Sequence, residues 1–182
     1  MPKHSEKELI ELFKNGHNQD YVFNILVKDY QERLYWHIRK ILINHEDTDD
    51  VLQNTFIKAW KGLSEFREDS NLFTWLYRIA TNESLSFLRQ KKRMGFIPWE
   101  GVEKKLSETL ESDPYFNGDS IQIKLQKAVL ELPEKQRLVF NMKYYEELKY
   151  EEIAKILETS VGALKASYHH AVKKIEKYMN KD

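Results

Sequence analysis

Apolar residues recur with a helical spacing through almost the whole of this 182-residue sequence. Only six glycines and four prolines are present, so few positions break the pattern. The one long interruption, residues 95–120, contains three of the glycines and two of the prolines. The pattern therefore predicts an all-α chain with two small helical domains, residues 1–94 and 121–182, joined by a flexible linker over residues 95–120.

Charged residues occur in blocks, although the formal net charge is zero. Residues 95–120 carry six acidic and two basic side chains, which makes the linker acidic, whereas residues 86–94 carry four basic and no acidic ones. Basic blocks in a neutral chain suit a protein that binds nucleic acid in patches. They also suit solvated helix faces that happen to cluster, and charge alone leaves both interpretations open.

Several classes of protein are excluded by composition and by missing motifs. The sequence has no cysteine, which removes disulfides, thiolate metal sites and a cysteine nucleophile. Neither a signal peptide nor an apolar run long enough to cross a membrane is visible, so we expect a cytoplasmic protein without membrane insertion. No glycine-rich phosphate loop, cluster of metal ligands or nucleophile–base pair appears, so we expect neither an enzyme nor a cofactor.

Capping residues predict where the helices of the first half begin. Ser5, followed three residues later by a glutamate, has the pattern of a capping box. The second helix is expected from about Gln19 to Asn44. An acidic turn follows, and Asp47 or Thr48 is expected to cap the third helix.

Residues 150–179 have the pattern of a helix-turn-helix. A short helix is followed by a sharp turn, and Ser160 is a good N-cap for the second helix. Two short helices at a steep angle, the second with a polar face, match the major groove of DNA. Two positions depart from the usual pattern, because Glu158 stands where glycine is common and Lys149 where serine or threonine would cap better. An ordinary helical hairpin has the same spacing and remains an alternative.

The polar face of the second helix supplies the side chains expected to contact DNA. They are Lys165, Ser167, Tyr168, His169, His170, Lys173 and Lys174. Lysine donates to guanine or phosphate, and a neutral histidine both donates and accepts. The adjacent histidines diverge by about 100° on a helix, which argues against a shared metal ion.

Three segments together resemble bacterial sigma factors. Leu132–Arg137 and the motif that follows it resemble domain four of these proteins. Asp47–Phe56 looks like the part of domain two that grips the clamp helices of core RNA polymerase. Phe66–Ser70 and Thr74–Asn82 look like the segment that melts the minus-ten promoter element. Two domains and a linker are the layout of the extracytoplasmic-function (ECF) group, and the resemblance covers roughly residues 10–178.

The resemblance implies three binding surfaces. Residues implied to bind core polymerase are Asp49, Asp50, Leu52, Gln53, Asn54 and Phe56. Residues implied to bind the minus-ten element are Asn71, Trp75, Asn82, Ser86, Arg89, Lys91, Lys92 and Arg93. Residues implied to bind the minus-35 element are Ser160, Val161, Lys165, Ala166, His169, His170 and Lys173. The implied partners are core RNA polymerase, promoter DNA and an anti-sigma factor.

Some of these assignments have a plainer alternative. Trp75 is an aromatic residue on a helix, and such residues more often belong to a core than to a binding site. The linker is implied to thread through the polymerase cleft, where its carboxylates would mimic a nucleic acid backbone, or it is a soluble tether. The carboxylates concerned are Glu100, Glu103, Glu108, Glu111, Asp113 and Asp119.

The expected function is that of an ECF-type sigma factor. Such a factor binds core RNA polymerase, directs it to promoters and helps to open the DNA. The main alternative is a helix-turn-helix transcriptional regulator that never joins polymerase. That alternative explains residues 121–182 but gives no purpose to the segments around Asp49 and Trp75.

Overall fold

Every regular element in the described part of the chain is a helix, as the sequence pattern predicts. The structure is a computed structural model that describes residues 5–67, 70–95 and 120–180. The first half contains α1 (Glu6–Lys14), α2 (Gln19–Leu42), α3 (His45–Gly62), a 3₁₀ turn (Leu63–Glu65) and α4 (Leu72–Arg93). The second half contains α5 (Ser120–Leu130), α6 (Glu134–Phe140), a π-helical turn (Asn141–Tyr145), α7 (Tyr150–Leu157) and α8 (Val161–Met179). Apart from its two end residues, the predicted linker, with its six carboxylates, lies outside the described residues.

The first helix begins at the predicted capping box. The Ser5 hydroxyl accepts a hydrogen bond from the backbone N–H of Glu8 at 3.3 Å, and the Glu8 carboxylate accepts from the N–H of Ser5 at 2.7 Å. Two backbone donors at the start of α1 are thereby satisfied.

The junction between α2 and α3 differs from the prediction. Helix α2 ends two residues early, at Leu42, because Ile43 adopts a left-handed conformation with φ of 63°. Asn44 is therefore free to cap α3, and its side chain accepts from the N–H of Asp47 at 2.9 Å. The prediction that Asp47 or Thr48 caps α3 is wrong, since both lie inside the helix. The Thr48 hydroxyl instead donates to the carbonyl of Asn44 at 2.7 Å.

The core of the first half lies between α2, α3 and α4. Leu34 and Ile38 of α2, Val51 of α3 and Ala80 of α4 are at most 1% exposed. Helix α1 covers one end of this core with Phe13, whose ring meets the edge of Trp60 at 5.1 Å between centroids. Close packing of aliphatic and aromatic side chains holds the three long helices in place.

The second half has a smaller core of its own and also shares one with the first half. Phe140, Ala171 and Ile175 belong to the separate cluster. Ile153 of α7, however, joins the same continuous apolar cluster as Ala80 of α4. Helices α4 and α7 pack directly against each other, so the two halves meet through an apolar contact.

Candidate nucleic-acid interface

Helix α3 presents a polar face to solvent. Asp49, Asp50, Gln53 and Asn54 are all exposed, while the intervening Val51 is buried at 1%. The acidic first turn suits the positive end of the helix dipole, so these residues also stabilise the helix start. The structure thus brings the four predicted polar residues together on one accessible surface.

The two apolar residues that are predicted to bind polymerase are only partly accessible, because they also pack against the core. Leu52 and Phe56 are half-buried and pack against the core, where the Phe56 ring meets the edge of Phe23 at 6.3 Å between centroids. Ile57, which sequence reasoning missed, is 45% exposed. It follows Gln53 by four residues and so lies on the same helical face. An apolar residue at that spacing among polar ones was the available signal.

Asn71 and Trp75 both have structural contacts in addition to their predicted role. The Asn71 side chain caps α4 by accepting from the N–H of Thr74 at 2.8 Å. The Trp75 ring lies 5.2 Å from the ring of Phe66, between centroids. It also faces Gly62 so closely that a Cβ there would be 3.1 Å from Trp75 Cζ2. Trp75 is therefore half-buried and packs against the core, while its predicted role in DNA binding stays a prediction.

A cleft of about 340 Å³ lies beside Trp75, between α4 and α7. Thr74, Trp75 and Arg78 line one side of it, and Lys155 and Glu158 line the other. Arg78 and Glu158 form an ion pair across the cleft at the protein surface. The predicted base-reading region of α4 therefore faces the helix-turn-helix.

The basic end of α4 gathers four of the five polar residues predicted there. Ser86, Arg89, Lys92 and Arg93 line a shallow depression of about 480 Å³. Lys91 points elsewhere, because its ammonium group lies 2.5 Å from a carboxylate oxygen of Asp47 in the first turn of α3. The four clustered residues are suited to phosphate oxygens, whereas Lys91 ties the end of α4 to α3.

The helix-turn-helix forms over α7 and α8, as predicted. Ser160 caps α8, and its hydroxyl accepts from the N–H of Ala163 at 3.3 Å. Glu158 occupies the left-handed turn position with φ of 51°, where glycine would be unstrained. Lys149 provides no side-chain cap for α7, although Glu152 accepts from its backbone N–H at 2.9 Å.

The recognition helix α8 buries its apolar stripe and exposes the predicted polar face. Leu164, Ala171 and Ile175 are at most 7% exposed. The predicted DNA-binding residues that are exposed are Ser160, Lys165, Ala166, His169, His170, Lys173 and Lys174. Val161, Ser167 and Tyr168 are half-buried, and the Tyr168 ring packs against the apolar core. No cluster of three or more His, Cys, Asp or Glu residues suited to a metal ion occurs within residues 5–67, 70–95 and 120–180.

A buried ion pair that sequence reasoning missed joins the two halves. His37 of α2 is 1% exposed, and its Nδ1 lies 2.9 Å from Oε1 of Glu146, which directly follows the π-helical turn. The other ring nitrogen lies 2.8 Å from the hydroxyl of Thr81, which donates its own hydrogen to the carbonyl of Tyr77. Nδ1 thus faces a carboxylate oxygen, and Nε2 faces a hydroxyl whose hydrogen is engaged elsewhere.

The surroundings of this pair set its electrostatics. Burial alone would raise the pKa of Glu146, but the neighbouring His37, aided by Lys40, outweighs burial and holds that pKa below its ordinary value. Burial lowers the pKa of Lys40, and the charge of Glu146 partly opposes that effect. Burial and the nearby Glu146 charge both raise the pKa of Tyr77. Glu146 is therefore a carboxylate near neutral pH, held beside His37 and Lys40 of α2.

Comparison with known proteins agrees with the geometry of both halves. Residues 26–94 match the family model for sigma-70 region 2, and residues 122–175 match the model for sigma-70 region 4. The ECF RNA polymerase sigma factor SigW of Bacillus subtilis is 30% identical over 95% of this chain and 96% of its own length. The chain belongs to the ECF group of the sigma-70 family. The RNA polymerase sigma-H factor of Pseudomonas aeruginosa is 28% identical over 97% of this chain and 95% of its own.

Solved structures share the fold of this sigma factor. CnrH, in complex with the cytosolic domain of CnrY, superimposes with a TM-score of 0.70 at 22% identity and covers 96% of both chains. The sigma factor RpoE of Bartonella quintana, in complex with the anti-sigma factor NepR, gives a TM-score of 0.67 at 21% identity. That likeness covers 88% of this chain and 98% of RpoE.

The two family matches fall on the two halves of the structure. Region 2 takes in most of α2, then α3 and α4, whereas region 4 runs from α5 into α8. The predicted family is therefore confirmed, while the roles of individual residues stay predictions. None of the helices in the described ranges is long and apolar enough to span a membrane.

Proposed function

We propose that this sigma factor binds core RNA polymerase through the exposed face of α3 and brings it to promoters through α4 and α8. The observation that carries the proposal is the presence, in one chain, of a free polar face on α3 and of a capped helix-turn-helix. A regulator that acts without polymerase would use the second surface but would have no use for the first. The site of action is then the cytoplasm, where core polymerase works.

The polymerase surface consists of Asp49, Asp50, Gln53 and Asn54, with Ile57 as an apolar addition. All five are exposed, and the helix that carries them is fixed by buried Val51 and Ala59. A rigid helix with polar residues around one apolar side chain is the usual anatomy of a protein–protein contact, with polar groups supplying specificity. Leu52 and Phe56 support this face from beneath.

The DNA surfaces divide the work between strand opening and duplex anchoring. Trp75, Asn82 and the basic end of α4 are suited to single-stranded DNA, since an aromatic ring stacks on a base and cations hold phosphates. Lys165, His169 and their exposed neighbours on α8 are suited to base edges in the major groove. Catalysis of RNA synthesis belongs to core polymerase, and this chain acts as an initiation factor.

An anti-sigma factor is part of the proposal, because the family resemblance implies one. No residue is assigned to that contact.

Run-off transcription with core polymerase and a library of genomic fragments tests the proposal. We expect discrete transcripts only when the chain is added, and their start sites define the minus-ten and minus-35 sequences. A matched reaction with Asp50→Lys and Gln53→Ala in the same chain should lose those transcripts while remaining folded. If the chain binds DNA fragments but yields no transcript with core polymerase, the regulator alternative is correct instead.

A further inference from the structure

We propose that Glu6 of α1 is a positioning residue for promoter opening, because its carboxylate ties the start of α4, which carries Asn71 and Trp75, to α2. The proposal rests on the function proposed above, since it concerns how α4 is held for the capture of single-stranded minus-ten DNA. Helix α1 lies outside both family matches, which begin at residues 26 and 122, so neither match accounts for this helix.

The carboxylate of Glu6 bridges two other helices. Its Oε2 accepts a hydrogen bond from the Tyr30 hydroxyl of α2 at 2.6 Å, and its Oε1 accepts from the backbone N–H of Leu72 at 3.1 Å. Burial and the bond to Glu6 both raise the pKa of Tyr30, so this hydroxyl keeps its proton and remains a donor. Each carboxylate oxygen therefore holds a different helix.

The bond to Leu72 completes the cap of α4. The first four N–H groups of an α-helix have no partner within the helix. Asn71 accepts from the N–H of Thr74, and the remote Glu6 accepts from that of Leu72, the first residue of α4. Leu72 is 1% exposed, so water is a poor substitute for the carboxylate. Because the N–H of Trp75 bonds back to the carbonyl of Asn71 at 3.2 Å, any shift of the helix start also moves Trp75.

Helix α1 is anchored independently of Glu6. Three of its apolar residues are at most 4% exposed and belong to the core: Leu9, Ile10 and Phe13. The helix also packs against the 3₁₀ turn, which directly precedes Phe66, the residue whose ring meets Trp75. Glu6 itself is exposed, so removing its carboxylate leaves no cavity in the core. Substitution of Glu6 should therefore release the start of α4 without detaching α1.

The first test asks whether the free chain contains this tie. Hydrogen exchange measured by NMR should be about tenfold faster at the Leu72 amide in Glu6→Ala than in the wild type, because a bond to a charged acceptor is lost. Tyr30→Phe, which removes only the second contact of the carboxylate, should accelerate Leu72 to a smaller extent. Glu11→Ala, the same substitution at another exposed position of α1, should leave Leu72 unchanged. Equal exchange at Leu72 in the wild type and in Glu6→Ala overturns the proposal.

The second test asks whether the tie serves base capture. The probe is a fork of promoter DNA from the run-off experiment, double-stranded at the minus-35 element and single-stranded at the minus-ten element. Matched forks each lack one base of the minus-ten element. Wild-type holoenzyme should bind the intact fork about tenfold more tightly than the fork that lacks the captured base, since stacking on an aromatic ring is lost. Glu6→Ala should lose most of this preference, and Glu11→Ala should keep it.

The outcomes separate positioning from general stability. A purely structural role for Glu6 would weaken the binding of both forks equally, and that result overturns the proposal. A Glu6→Ala holoenzyme with the wild-type preference overturns it as well. If the wild-type holoenzyme shows no preference for any intact base, the proposed function of α4 fails and the positioning role fails with it. The exchange measurement still decides in that case whether Glu6 holds Leu72.

Discussion

Glu146→Ala removes one partner of the buried ion pair, and its effect on stability can be worked out from the structure. His37 is 1% exposed and its Nδ1 loses the Glu146 carboxylate at 2.9 Å, so a buried ring nitrogen is left without its partner. Removing one member of such a pair costs about 3–5 kcal/mol when the surroundings stay in place. Separation of the two halves rehydrates His37, so the loss cannot exceed the free energy with which the halves are docked.

A double-mutant cycle isolates the pair itself. His37→Leu alone leaves the Glu146 carboxylate buried without its partner, whereas His37→Leu with Glu146→Ala removes both partners. We therefore expect the double variant to lose less free energy of unfolding than the two single variants summed, by about 1–3 kcal/mol. Urea unfolding at pH 7, followed by far-ultraviolet circular dichroism, measures the four values. Additive losses, or a loss below about 0.5 kcal/mol for Glu146→Ala, would refute the reasoning.

The same pair has a defined dependence on pH. The pKa of Glu146 in the folded chain lies below its ordinary value of 4.5, so its stabilising contribution is full above that value. The contribution is lost as the pH falls through the lower, folded-state pKa, because the protonated carboxyl loses its favourable interaction with His37 and Lys40. In Glu146→Gln this acid-dependent loss should disappear. Unfolding midpoints measured between pH 7 and pH 3 should converge for the wild-type and Glu146→Gln chains as the pH falls. Parallel curves for the two chains would contradict the assignment of this pH dependence to Glu146.

Three further predictions concern the binding surfaces and the turn. Asp50→Lys with Gln53→Ala should weaken binding to core polymerase at least tenfold in a pull-down titration without lowering the melting temperature. Undiminished binding would refute the assignment of the polymerase-binding surface to α3. Arg89→Glu with Arg93→Glu should reduce the slope of log affinity against log salt for holoenzyme on promoter DNA by roughly 2, at about 0.9 for each lost phosphate contact; an unchanged slope would mean that neither side chain contacts DNA. Glu158→Gly should relieve about 1 kcal/mol of left-handed strain, so its melting temperature should exceed that of Glu158→Gln, which loses the same ion pair but keeps the Cβ.

Local features of the fold were predictable because their causes are local. The capping box of Ser5 with Glu8 and the cap at Ser160 need only short polar side chains at the right spacing, and the helices follow from apolar periodicity. The cap of α3 was mispredicted for an equally local reason. Asn44 competes with Asp47 and Thr48 for the same role, and the left-handed turn at Ile43, which a β-branched residue seldom adopts, decided between them.

Contacts between the halves could not be read from the sequence. His37 and Glu146 are 109 residues apart, and no periodicity links them. His37 sits beside the apolar stripe of α2 and has the pattern of an ordinary core residue. Lys91 likewise has the pattern of a phosphate-binding residue at a basic helix end, yet its ammonium reaches Asp47, because only the packed arrangement of α3 and α4 brings the two within 2.5 Å.

The apolar core that α4 shares with α7 has a consequence for competition between sigma factors. A partner that binds only the separated halves must first supply the free energy that keeps them docked. Each 1.4 kcal/mol of docking free energy lowers the apparent affinity for such a partner about tenfold. A limited supply of core polymerase then goes first to factors that open more easily. Substitutions at Ile153 or Ala80, which contact neither polymerase nor DNA in this proposal, would therefore change how many polymerase molecules this chain captures in the cell.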